Sequence, residues 1–143
     1  MRGFTAIVCL LLLALGSSRC GSSTSPSTLT GTWNGTAQYT VNGQIGTQNI
    51  TMTLSQQGST VTGTYFATSV GYFAGTTQNI SGTVSGTFTG TFNFVPSAGL
   101  GCSGTFDVSG SGGGSALTWN MTGVTSTCGS FAPSAIQINV TPQ

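Results

Sequence analysis

Leu29-Thr30-Gly31-Thr32-Trp33-Asn34-Gly35-Thr36-Ala37-Gln38-Tyr39-Thr40-Val41 decides the fold. Every second residue, from Leu29 through Trp33, Ala37 and Tyr39 to Val41, is apolar or glycine, and the residues between them are Thr, Asn and Gln. In an extended chain successive side chains point to opposite faces, so this alternation places one greasy face against one hydroxyl face. The same rhythm returns in Ile50, Met52 and Leu54, and again in Val61, Gly63 and Tyr65. It continues through Ile80 to Phe94, then in Phe106 and Val108, in Leu117, Trp119 and Met121, and in Ile136, Ile138 and Val140. Seven or eight antiparallel strands are expected. Asn42-Gly43 and Gln57-Gly58 are hairpin signals that join neighbours in sequence. Gly110 to Gly114 reads as a loop, and Ile80 to Phe94 as one strand bent at Gly86 or a hairpin turned there. The fold class is all-β, an up-and-down barrel, with a β-sandwich as the alternative. Closure also removes edges, which matters in a chain with almost no charged residues to guard them.

Only 2% of the 143 residues are charged, and neither Lys nor His occurs. Arg2 and Arg19 lie near the N-terminus, so beyond residue 19 the single ionisable carboxylate is Asp107. Binding a phosphate backbone depends on cationic side chains that release counterions, which excludes nucleic acid as a partner. General acid–base chemistry needs a group that exchanges protons near neutral pH; parity puts Asp107 on the hydroxyl face, and no serine has a base beside it. No catalytic residue, metal ligand set or cofactor site is expected. Asn-x-Ser/Thr sequons at Asn34, Asn49, Asn79, Asn120 and Asn139 follow from a composition rich in Asn and Thr and are given no role.

The N-terminus has another character. A positive start at Arg2, an apolar run from Phe4 to Leu15 and a small, polar exit at Gly16-Ser17-Ser18 form signal-peptide architecture, too short to span a membrane as a helix. The expected organisation is a signal peptide over 1–19, Cys20 with a Ser/Thr/Pro tether over 20–28, and a β-domain over 29–143. Leu15-Gly16-Ser17-Ser18-Arg19-Cys20 resembles the lipobox of bacterial lipoproteins, in which the cysteine becomes the acylated N-terminus. Arg19 and Ser17 depart from that pattern, and ordinary cleavage near Gly16 is the competing reading. The resemblance implies lipidation at Cys20, a membrane partner through the anchor, and an exported protein of the bacterial cell envelope on its periplasmic or outer side. Parity of thiols agrees: Cys9 leaves with the signal, Cys102 and Cys128 can pair in an oxidising compartment, and Cys20 is left over. For Cys102 and Cys128 the alternatives are free thiols or a metal pair, and the latter lacks further ligands.

A unit of Ser/Thr-Gly-Thr followed by an apolar residue recurs, for instance at Thr62-Gly63-Thr64-Tyr65, Ser81-Gly82-Thr83-Val84 and Thr89-Gly90-Thr91-Phe92. Its glycine falls on the core face and reads as room for a neighbouring side chain. Leu29-Thr30-Gly31-Thr32-Trp33, with Val61-Thr62-Gly63-Thr64-Tyr65 on the third strand, resembles the opening of calycin-type barrels, the lipocalin and avidin families. That resemblance implies a Gly-x-Trp that plugs one barrel end and a small apolar ligand at the other. The arginine that lipocalins set over the tryptophan is missing, and Gly35 stands where avidins carry a biotin-contacting Asn.

Two functions follow. The first is an envelope barrel holding a small apolar molecule or neutral glycan, with Trp33, Tyr39, Tyr65 and Trp119 as the inward-facing candidate binding residues. The second is a structural or adhesive surface module without a soluble ligand. A third, ice or crystal binding through Thr-x-Thr pairs such as Thr60-Val61-Thr62, requires flat ranks of threonine.

Overall fold

The computed structural model describes residues 28–96 and 101–143. The signal segment, Cys20 and all of the tether but Thr28 lie outside the described residues.

Eight strands form one closed antiparallel barrel in sequential order. They are β1 (Gly31–Val41), β2 (Gln44–Gln57), β3 (Thr60–Ala67), β4 (Thr77–Ser85), β5 (Thr87–Phe94), β6 (Gly104–Gly113), β7 (Ala116–Ser126) and β8 (Ala135–Pro142). The sheet closes where β8 pairs with β1, in a register running from Trp33 opposite Pro142 to Thr40 opposite Ala135. The sandwich alternative is thereby excluded. A three-residue 3-10 turn, Gly129–Phe131, interrupts the connection between β7 and β8.

Alternation set in the sequence is carried out residue by residue. Trp33, Ala37, Ile50, Met52, Leu54, Val61 and Tyr65 are buried, and the pattern persists through Ile136, Ile138 and Val140 on β8. Hydroxyls and amides cover the outside, where directly opposed residues bond across strands. Thr51 donates to Asn34 at 2.8 Å, Thr105 to Asn93 at 2.9 Å and Thr118 to Asn139 at 3.1 Å. This polarity is the reverse of an outer-membrane barrel, whose apolar band faces lipid and whose interior is polar.

The bend at Gly86 is a hairpin: Ser85 and Thr87 face each other across a glycine with φ of 77°. Asn42 and Gly43 both adopt positive φ, the geometry of a two-residue hairpin turn. The glycine run departs from expectation. Gly110 and Gly112 are not in a loop but paired with Trp119 and Leu117, and the turn is confined to Gly114-Ser115. Glycine keeps its backbone donor and acceptor, so it can join a ladder, and here the absence of a side chain is required. A Cβ on Gly110 would stand 2.3 Å from the Trp119 ring. Two glycines of the repeated unit act in the same way: Gly82 and Gly90 face each other on β4 and β5, and a Cβ on either would meet the Phe88 ring at 2.7 or 2.9 Å, whereas Gly31 and Gly86 of the same unit have open space around them and a positive φ.

Candidate functional site

An up-and-down topology sorts the connections. The lower end carries the start of β1, the turns β2–β3, β4–β5 and β6–β7, and the end of β8; the upper end carries the connections β1–β2, β3–β4, β5–β6 and β7–β8.

At the lower end Trp33 is 2% exposed, and its indole N–H donates to the Leu29 carbonyl at 3.0 Å. Leu29 is buried in turn, and its backbone N–H donates to Gln56 Oε1 at 2.9 Å. The chain therefore folds back beneath its own tryptophan and seals this end. In the lower half Trp119 stacks on Phe88, ring centroids 4.2 Å apart and planes 8° from parallel.

The upper end is sealed by a residue the alternation did not reveal. Phe73, in the connection between β3 and β4, is wholly buried. Its ring meets Tyr39, Tyr65, Tyr72, Phe92 and Phe94 edge-on, with centroid distances of 6.0, 5.9, 4.8, 6.0 and 5.9 Å. Edge-to-face pairs at these distances are the favoured aromatic geometry. Two inward-facing glutamines fasten the β3–β4 connection and the neighbouring β5–β6 connection. Gln48, 1% exposed, accepts from the Phe73 N–H at 3.1 Å and donates to the Ser69 carbonyl at 3.3 Å. Gln78 accepts from the Val95 N–H at 2.7 Å, donates to the Val95 carbonyl at 2.8 Å and also donates to Thr76 Oγ1. Each replaces ladder bonds that end where the loops begin, which is how buried amides come to be tolerated. Cys102 and Cys128 are bridged, their Cα atoms 5.1 Å apart, which ties the β5–β6 connection to the β7–β8 connection.

The four aromatic candidates divide between the ends. Tyr39 and Tyr65 share Phe73 above, whereas Trp33 and Trp119 lie below, so they do not line one site. Three surface recesses, of about 440, 270 and 120 Å³, open on the barrel, and none of these three is lined by Trp33, Tyr39, Tyr65 or Trp119. The first sits at the lower end among Gln56, Ser59, Val84 and Ser85.

Among the described residues, three buried side-chain polar atoms have no hydrogen-bond partner: Tyr65 Oη, Tyr72 Oη and Trp119 Nε1. Burial, with the neighbouring Tyr39 phenol second, pushes the Tyr65 phenol well above the ordinary tyrosine range, and burial raises that of Tyr72. Ionised phenolate is disfavoured where water is excluded. Asp107 is exposed on the outer face, as its parity requires. It stands beside a bulge on β7 where the register slips between Thr105 and Asp107, and Gly123 there has φ of 65°. Thr60, Thr83 and Thr89 are in register on the outer face, but on a wall that closes in eight strands, so each turns away from the next.

Among the described residues, the five exposed large hydrophobic ones, Ile45, Phe66, Val70, Val95 and Phe131, all belong to the upper end. The reading of strands alone passed over them, although Ile45 and Phe66 stand in outward phase on β2 and β3 and could have been found there.

No protein-family model matches the chain, and neither a curated protein nor a solved structure is similar to it. The closed eight-stranded barrel is compatible with a calycin-like architecture.

Proposed function

We propose that the chain is an exported, non-catalytic envelope protein whose calycin-like barrel is a rigid scaffold that works through its outer surface and its upper rim. The observation that carries this reading is the filled upper end: Phe73, supplied by the chain itself, occupies the position at which the open end of such a barrel would receive a guest. The interior rings are accounted for by one another. A neutral hydroxyl wall and a lone exposed carboxylate support presentation over catalysis, since no proton-exchanging group of suitable pKa accompanies Asp107. Signal-like residues 1–19 and the thiol of Cys20 support export and acylation, and an acylated cysteine with more than one chain would hold the protein at a membrane.

Envelope integrity and surface attachment of a strain lacking the gene, together with titration of the purified chain against small apolar molecules and neutral glycans, test the reading. An altered envelope with no saturable binding is the expected pair of results; saturable binding with an unaltered envelope overturns it. A second reading, a barrel that binds a small neutral ligand, is favoured by the lower recess of about 440 Å³. The same titration decides between them. Mass spectrometry of the mature N-terminus separates acylation at Cys20 from cleavage near Gly16.

A further inference from the structure

We propose that the upper rim of the barrel docks onto a zwitterionic lipid bilayer, with Ile45, Phe66, Val70, Val95 and Phe131 entering its interfacial zone; this rests on the reading of the chain as a surface module and names what the surface meets.

Their placement is not random. Outward positions elsewhere on the wall are taken largely by Thr, Ser, Asn and Gln, and among the described residues exposed large apolar side chains occur only at the upper end. Val70 is 94% exposed and Ile45 68%, values at which an isolated side chain gains nothing from the fold. Burying such side chains elsewhere is favourable in proportion to the apolar area removed from water. The loops bearing them are already fastened: Gln48 holds the β3–β4 connection, Gln78 holds Val95, and the Cys102–Cys128 bridge ties the connection that carries Phe131. Docking therefore orders little that is not ordered beforehand, which removes one of the main costs of association.

Charge and geometry select the occupant. Ile45 and Phe66 stand at the upper ends of β2 and β3, and Val70, Val95 and Phe131 in the β3–β4, β5–β6 and β7–β8 connections, so the five are spread around the mouth of the barrel, a spacing that a fluid acyl boundary accepts without matching their shape. Between Thr28 and Gln143 there is no Lys, Arg or His, and Asp107 is the sole charged side chain. Attraction to anionic lipid headgroups relies on basic residues near the surface. This rim has none to offer, so its affinity comes from apolar burial, needs no anionic lipid and is insensitive to salt. The chain enters β1 at the lower end, where Leu29 bonds to Gln56, the end opposite the rim.

The test uses the full chain with Cys20→Ser, so that no acyl group contributes, and vesicles of phosphatidylcholine with brominated acyl chains. A probe indole is introduced by Phe131→Trp at the upper end or by Val84→Trp at the lower. Fluorescence of the upper probe should be quenched, equally at low and at about 1 M NaCl. Adding Ile45→Ser and Val70→Ser should raise the lipid concentration needed by at least about tenfold. The lower probe should remain unquenched, and Trp33 and Trp119, both buried, supply a constant background that also reports the fold. Quenching at the lower end instead, no quenching at either, or quenching untouched by the serine substitutions overturns the proposal. So does concentration-dependent self-association, abolished by those substitutions, without vesicle binding. Loss of vesicle binding with the envelope phenotype intact would sink this inference and leave the surface-module reading standing.

Discussion

Replacing Phe73 by alanine removes the ring that closes the upper end, and its cost can be worked from its surroundings. The side chain is fully buried and has five aromatic neighbours, all edge-on within about 12° of perpendicular. Buried Phe→Ala changes cost about 3–5 kcal/mol, a figure that already contains the lost ring contacts, and five edge-on neighbours place Phe73 in the upper part of that range. The expected loss is about 4–5 kcal/mol, kept from rising further because Phe73 sits on a loop that can settle into the gap. Against a typical domain stability of 5–15 kcal/mol this is a large fraction, and at about 4 °C per kcal/mol Tm should fall by about 16–20 °C. Urea unfolding followed by the fluorescence of Trp33 and Trp119, with the disulfide intact, measures it directly. A loss under about 1 kcal/mol with an unchanged urea slope would show that Phe73 is not part of the core, and the filled-barrel reasoning would fail with it.

Tyr65→Phe removes a buried hydroxyl that bonds to nothing, so stability should be unchanged or raised by up to about 1 kcal/mol near neutral pH, in the same urea assay. The Tyr65 phenol stays protonated to higher pH in the folded barrel than in the unfolded chain, so its contribution is complete below about pH 10 and is lost as pH rises above that. Stability of the parent should fall there more steeply than that of Tyr65→Phe, by up to about 1.4 kcal/mol per pH unit. Cys128→Ser opens a bridge spanning 26 residues, which in chain-entropy terms costs about 3.5 kcal/mol; an unchanged Tm would contradict the pairing. Gln48→Leu leaves the Phe73 N–H buried without an acceptor, at about 1–3 kcal/mol, and amide exchange at Phe73 should quicken by the corresponding factor.

The walls of the barrel were legible because alternation is a local signal, repeated from Leu29 to Val140, that needs no knowledge of distant partners. The disulfide followed from thiol parity. The plug was not legible: Val70-Gly71-Tyr72-Phe73 lies outside any alternating run, and whether a loop phenylalanine turns into a barrel or out to solvent depends on what the strands have left unfilled. Gln48 and Gln78 sit in inward phase, but a polar residue there reads as a break in the pattern until the loop groups that satisfy it are in place. Gly110 to Gly113 misled for the opposite reason, since a glycine run looks like a loop when the ring packed over it is 9 residues away on the next strand. The candidate binding aromatics were correctly sent inward. Alternation says which face a ring takes, and says nothing about whether another ring already occupies the space.

The upper interior of the barrel is filled by the protein's own side chains, Phe73 foremost. Crystals pressurised with xenon probe this most directly, because apolar cavities large enough to hold a guest take up the gas. No xenon is expected between Tyr39, Tyr65 and Phe92, where the Phe73 ring sits; a well-occupied xenon site there would contradict the account.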